Sequence, residues 1–171
     1  PCREIYKQNY GIEVHPDIKK LKPENIPDYD ILCAGFPCQP FSNAGKKSTF
    51  KHDKGLLFDE IMRLIKDNKP KLMFLENVKH ILKVGKGEVF KYVMNRLDEN
   101  GYNVQILKMS PHEYGIPQQR ERIFFVCVHK SIDKKVVELV EPKNTEIIME
   151  NFMEKKEEID EKYFVKGDVI K

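Results

Sequence analysis

Residues 28–42, Asp-Tyr-Asp-Ile-Leu-Cys-Ala-Gly-Phe-Pro-Cys-Gln-Pro-Phe-Ser, limit the folds open to this chain more than any other stretch. The apolar run at 31–34 has the length of a buried parallel strand, and Gly35 breaks it into a turn in which Pro37 and Pro40 bracket Cys38. In open α/β sheets ligands sit beyond the carboxyl ends of strands, and the two prolines restrict the backbone that carries Cys38. A cysteine so placed is presented to a site rather than packed in a core.

The remaining periodicities supply the elements around that turn. Residues 1–10 pattern as a short amphipathic helix closed by Gly11, residues 12–14 as a short strand, and His15-Pro16-Asp17-Ile18 as a turn. The loop at 35–54 lacks apolar periodicity and, carrying Cys38, reads as a mobile active-site loop. Residues 56–66 repeat apolar positions three and four apart, which predicts a helix that Asn68-Lys69-Pro70 stops. Strands follow at 71–75, 102–108 and 122–129, with a helix at 87–99 and a turn-rich segment at 111–119. Glu76-Asn77-Val78 stands at the carboxyl end of the second of the longer strands. Strands alternating with helices predict parallel strands in a Rossmann-like α/β sheet. Residues 1–129 read as one part of a catalytic domain. Residues 130–171, with a charged helix-like stretch around 145–162, read as a linker and the start of a variable region.

A chain of 171 residues buries one core. No run approaches the ~20 apolar residues of a membrane span and the first residues have no signal-peptide pattern, so an intracellular, cytoplasmic address and no membrane partner are expected. A net charge of +3 is too mild to diagnose a nucleic-acid partner. The four cysteines, at 2, 33, 38 and 127, form no CxxC pair, which argues against a metal site. Cys33 and Cys127 lie in apolar strand-like runs and are expected to be buried, leaving Cys38 as the one that a loop exposes.

Three blocks carry a family resemblance. Gly35-Phe36-Pro37-Cys38-Gln39-Pro40-Phe41-Ser42 resembles the nucleophile motif of the DNA (cytosine-5)-methyltransferases. Glu76-Asn77-Val78 and Gly115-Ile116-Pro117-Gln118-Gln119-Arg120-Glu121-Arg122 resemble that family's other catalytic motifs, in the same order and at similar spacing. One such block is a weak signal; three in register are strong. The resemblance implies an S-adenosylmethionine-dependent methyltransferase fold and methyl transfer to carbon 5 of a flipped-out cytosine in double-stranded DNA, in a restriction-modification setting.

The residue types suit that chemistry. Carbon 5 of cytosine is a poor nucleophile until a soft nucleophile adds at carbon 6, and a thiolate suits this conjugate addition. A free thiol, with pKa near ~8.5, is a few per cent ionised at neutral pH, so the ring must be activated too. The resemblance assigns attack to Cys38, activation at ring N3 to Glu76, contact with the cytosine O2 to Arg122 and bracing of Glu76 or of the loop to Arg120. A carboxylate at the start of the following segment, and arginines in surface ion pairs, are the structural alternatives for these three. For the methyl donor it implies Asp17, Ile18, Pro37 and Leu57, although Asp17 also suits a plain turn. Gln39, Ser42, Lys46 and Lys47 are the candidates for DNA phosphates, against the alternative of loop lysines facing water.

A complete family member also has a donor-cradling Phe-x-Gly-x-Gly turn, an acidic second-strand end and a target-recognition domain, none of which occurs in these residues. The expected fold is therefore incomplete, lacking the first two strands and the target-recognition domain. This chain alone is expected to be inactive, as a fragment of a longer methyltransferase or as one subunit of a split enzyme with a complementing methyltransferase chain, or to serve as a catalytically inactive binding module.

Overall fold

The computed structural model describes residues 2–15, 17–37, 57–133, 138, 149–155 and 158–163. Its described elements run α1 (Cys2–Tyr10), β1 (Ile31–Gly35), α2 (Leu57–Asn68), β2 (Leu72–Val78), α3 (Glu88–Glu99), β3 (Tyr102–Met109) and β4 (Arg122–His129), with short 3-10 turns between them. Two compact units emerge: residues 1–109 with 121–140, and residues 110–120 with 141–171.

The first unit holds a four-stranded sheet in the order β1-β2-β4-β3. β1 and β2 are parallel, with Gly35 paired to Glu76, whereas β4 runs antiparallel to both of its neighbours. The expectation of parallel strands therefore holds for the β1-β2 crossover and fails at β4. The crossover from β1 to β2 includes the twelve-residue α2, and that from β2 to β3 the twelve-residue α3, each a helix that can carry the chain back across the sheet. Between β3 and β4 only a four-residue 3-10 turn at Pro111–Tyr114 is formed, so β4 returns directly alongside β3 in the opposite sense.

Helices α2 and α3 cover one face of the sheet. Phe58, Ile61, Met62 and Ile65 of α2 and Val89, Val93 and Leu97 of α3 close over Met73, Leu75, Ile123, Phe125 and Cys127 in a single buried cluster. Buried residues alternate along β2 as a strand's two faces require, whereas β4 is buried on both faces from Phe125 to Val128. Tyr92 of α3 donates its hydroxyl to Asp59 Oδ1 of α2 at 2.5 Å, and burial, with that carboxylate alongside, pushes the phenol up to about 12. It is a protonated donor at neutral pH.

Three local expectations are corrected. Residues 12–14 form no strand: Ile12 and Val14 are exposed, and among the described residues the sheet ends at β1 with no ladder for them to join. Cys33 is exposed, because β1 alternates exposed and half-buried residues at the edge of the sheet instead of being covered on both faces. The described part of 145–162 contains 3-10 turns at Met149–Phe152 and Glu161–Tyr163 and no α-helix, and its apolar Met149, Phe152 and Met153 stay exposed. Helix α1 forms as expected and ends at Gly11, whose N–H donates to the Lys7 carbonyl at 2.8 Å with a left-handed φ of 68°. No helix among the described residues is long and apolar enough to cross a membrane.

Candidate active site

The site is built beside the end of β1. β1 stops at Gly35, opposite Glu76, and the Phe36 N–H still donates to the Glu76 carbonyl at 3.4 Å, while β2 continues to Val78 in its ladder with β4. Residue alternation turns Glu76 away from the helix-covered face, to the face it shares with Gly35 and with Phe124 and Arg122 of β4. Gly35 lies against Glu76: a Cβ there would stand 3.4 Å from Glu76 Oε2, in ordinary van der Waals contact.

Arg122, the first residue of β4, lies opposite Val78, two positions along from Glu76. Its Nε meets Glu76 Oε1 at 2.6 Å, and its Nη1 donates to the Glu121 carbonyl at 2.9 Å. The pair is only partly exposed, with 18% of the Arg122 side chain and 37% of the Glu76 side chain accessible. Beside it, Glu121 is gripped by Lys79 Nζ at 2.7 Å and Lys108 Nζ at 2.5 Å. Hydrogen bonds from these two lysines hold its carboxyl well down, to about 2. One carboxylate therefore ties the exit of β2, the end of β3 and the start of β4 together.

Arg120 belongs to the second unit. There its N–H donates to Ser110 Oγ at 3.0 Å, closing the segment that begins at Ser110. Ser110 is buried and forms a reciprocal capping box with Glu113 at the head of the 3-10 turn, while Gly115 ends that turn with a left-handed φ of 84°.

Of the positions implied for the donor, Asp17 caps the 3-10 turn Ile18–Lys20 by accepting from the Lys19 N–H at 3.0 Å. Ile18 packs half-buried against the core, Leu57 opens α2, and Pro37 is exposed. Arg63, which sequence patterning did not single out, ties this turn to α2 by donating to the carbonyls of Ile18 at 3.1 Å and Leu21 at 2.8 Å. Cys38, Gln39, Ser42, Lys46 and Lys47 lie outside the described residues. Cys127 is buried in β4, and burial pushes its thiol up to about 12, so it is inert. Among the described residues no group of three His, Cys, Asp or Glu side chains is placed to hold a metal.

A second residue outside the sequence-based candidates is Asn77, buried at 2% exposure next to Glu76. The available signal is its parity: Met73 and Leu75 face inward, so position 77 does too, and a polar residue there must be hydrogen-bonded.

The family model for the C-5 cytosine-specific DNA methylase matches residues 1–169. The type II methyltransferase M1.ScrFI of Lactococcus lactis subsp. cremoris is 48% identical over 123 residues, which are 72% of this chain and 32% of that protein. The type II methyltransferase M.NgoBI of Neisseria gonorrhoeae is 37% identical over 170 residues, 99% of this chain and 52% of that one. The chain thus spans from about a third to about half the length of these curated relatives. In structure, the methyltransferase EhMeth of Entamoeba histolytica superposes with a TM-score of 0.67 at 24% identity, covering 95% of this chain and 51% of that one, a likeness of fold.

Proposed function

Given that this chain belongs to the C-5 cytosine-specific DNA methylase family, we propose that it supplies the catalytic segments of a DNA cytosine-5 methyltransferase acting through a covalent Cys38 adduct. The observation that carries the reading is the meeting of Glu76 and Arg122 at 2.6 Å, with Glu76 paired to Gly35 at the end of β1, the strand that precedes Cys38 in the chain.

In this mechanism the Cys38 thiolate adds to carbon 6 of a cytosine extruded from the duplex, since the target atoms are out of reach inside the stack. Glu76, hydrogen-bonded to ring N3 and the exocyclic amine, stabilises the electron-rich ring and provides a proton at N3. Arg122 holds Glu76 through Nε and directs remaining N–H groups to the cytosine O2. Carbon 5, now an enamine carbon, accepts the methyl group. Loss of the carbon-5 proton to a base or water then expels the Cys38 thiolate and restores the aromatic ring. S-adenosylmethionine would supply the methyl group as its sulfonium S–CH3 bond breaks, leaving S-adenosylhomocysteine, with Asp17, Ile18, Pro37 and Leu57 as its contacts on this chain.

Gln39, Ser42, Lys46 and Lys47 hold phosphates of the extruded strand. The natural setting is an intracellular restriction-modification system. Donor-binding and target-recognition segments stand with these catalytic ones, on the same chain or on a complementing one.

The test is incorporation of a labelled methyl group from S-adenosylmethionine into duplex DNA by the protein in its native gene context. The reading requires label on carbon 5 of cytosine and none with Cys38→Ser. Label on an exocyclic nitrogen, or label that survives Cys38→Ser, contradicts it.

A further inference from the structure

The segment that follows β2 carries cations and no acid. From Asn77 to Gly87 the sequence holds Lys79, His80, Lys83 and Lys86, and the carboxylates that flank it, Glu76 and Glu88, are occupied by Arg122 at 2.6 Å and Lys91 at 3.1 Å. Ile81 and Val84, at 0% and 4% exposure, pin the two 3-10 turns Lys79–Leu82 and Val84–Gly87 to the core, while Lys79, Lys83 and Lys86 stay exposed. Lys79 is held by Glu121, the residue before Arg122, at 2.7 Å. The lysines therefore stand on anchored backbone that starts beside the Glu76–Arg122 pair.

Lys86 adopts a conformation that its residue type disfavours. Its φ is 58°, between Gly85 at 57° and Gly87 at 89°, so three successive residues are left-handed. Glycine takes that region freely and asparagine more readily than lysine, so the fold alone is better served by either. What neither can supply is a cation. A solvated surface intersperses both signs of charge, and this segment does not. We propose that Lys79, Lys83 and Lys86 form a rim that binds the phosphates of duplex DNA beside the extruded cytosine. This rests on the DNA reaction proposed above. Backbone contacts of this kind fix register and carry no sequence information.

The test is fluorescence anisotropy of a labelled cytosine-containing duplex with the protein in its native gene context, over a series of potassium chloride concentrations. Lys83→Gln and Lys86→Asn are each expected to lower the slope of log affinity against log salt by about 0.9, the worth of one phosphate contact, and to weaken binding several-fold whatever the duplex sequence. Lys86→Arg retains both. The control is Lys66→Gln, at an exposed lysine in the last turn of α2, which leaves the slope as in the wild type. Lys86→Asn also eases the left-handed backbone, so its urea midpoint is expected at or above that of the wild type while its DNA affinity falls. A lysine that serves only the fold cannot give that pair of results.

A slope unchanged in Lys83→Gln or in Lys86→Asn overturns the proposal. So does an equal fall in Lys66→Gln, which makes the attraction a property of overall charge, and so does a wild type without affinity for duplex. Should the urea midpoint of Lys86→Asn drop, Lys83→Gln decides, because Lys83 has an ordinary right-handed backbone with φ −112°. If the slope falls in these variants while the wild type places no methyl group on carbon 5, the reaction class fails and the rim stands. If methyl transfer proceeds and the slope does not move, the rim fails alone.

Discussion

Glu76 has two calls on it. Arg122 pairs with it at 2.6 Å, and in the proposed reaction it also addresses the cytosine ring, so the arginine orients the carboxyl group that does the work. Glu76→Gln preserves the shape of the side chain and removes its charge and its proton. Single-turnover methyl transfer is expected to fall by about 10² to 10⁴-fold, the usual worth of a general acid or base, with the circular dichroism spectrum unchanged. Arg122→Lys keeps a cation but gives up the planar fork, and it is expected to retain less activity than its charge alone suggests. At this scale Glu76 and Arg122 were singled out by the resemblance of their blocks to family motifs, next to apolar strand-like runs. Asn77 and Arg63 were not. Their roles depend on which backbone carbonyls approach from 41 to 45 residues away, which no local pattern encodes.

Among elements, the reversal of β4 places Arg122 at the site. A strand entering at this end of β2 begins its first residue beside Val78, whereas a parallel strand would put its last residue there. Helix positions were legible from 3.6-residue periodicity in α2 and α3, and strand positions from apolar runs. Strand direction was not, because it is set by the length of the connection and by partners distant in sequence. The start of β4 is also held electrostatically through Glu121. Its carboxyl lies at about 2 instead of its ordinary 4.5, so the two lysine contacts contribute stability that is complete above the ordinary value and is lost as the pH falls toward 2. Glu121→Gln is therefore expected to flatten the decline of unfolding stability between those two values, as read from urea titrations at a series of pH values. A wild-type slope equal to that of the variant would show that the clamp is not formed.

For the molecule as a whole, the α2–α3 layer over one face of the sheet makes the rigid support for the strand ends. Phe125 is fully buried and meets both Phe36 and Phe90, so it joins the base of the site to the core. Phe125→Ala is expected to cost about 3–5 kcal/mol by denaturant unfolding, the range for removing a buried aromatic ring. The central claim is that Cys38 attacks carbon 6 of a flipped cytosine. Its most direct test is to incubate the protein in its native gene context with S-adenosylmethionine and a duplex carrying 5-fluorocytosine, where the fluorine blocks release at carbon 5. Peptide mapping of the denaturation-resistant product is expected to place the modified base on Cys38. An adduct on another residue, or methyl transfer to ordinary cytosine with no adduct to the fluorinated base, would contradict it.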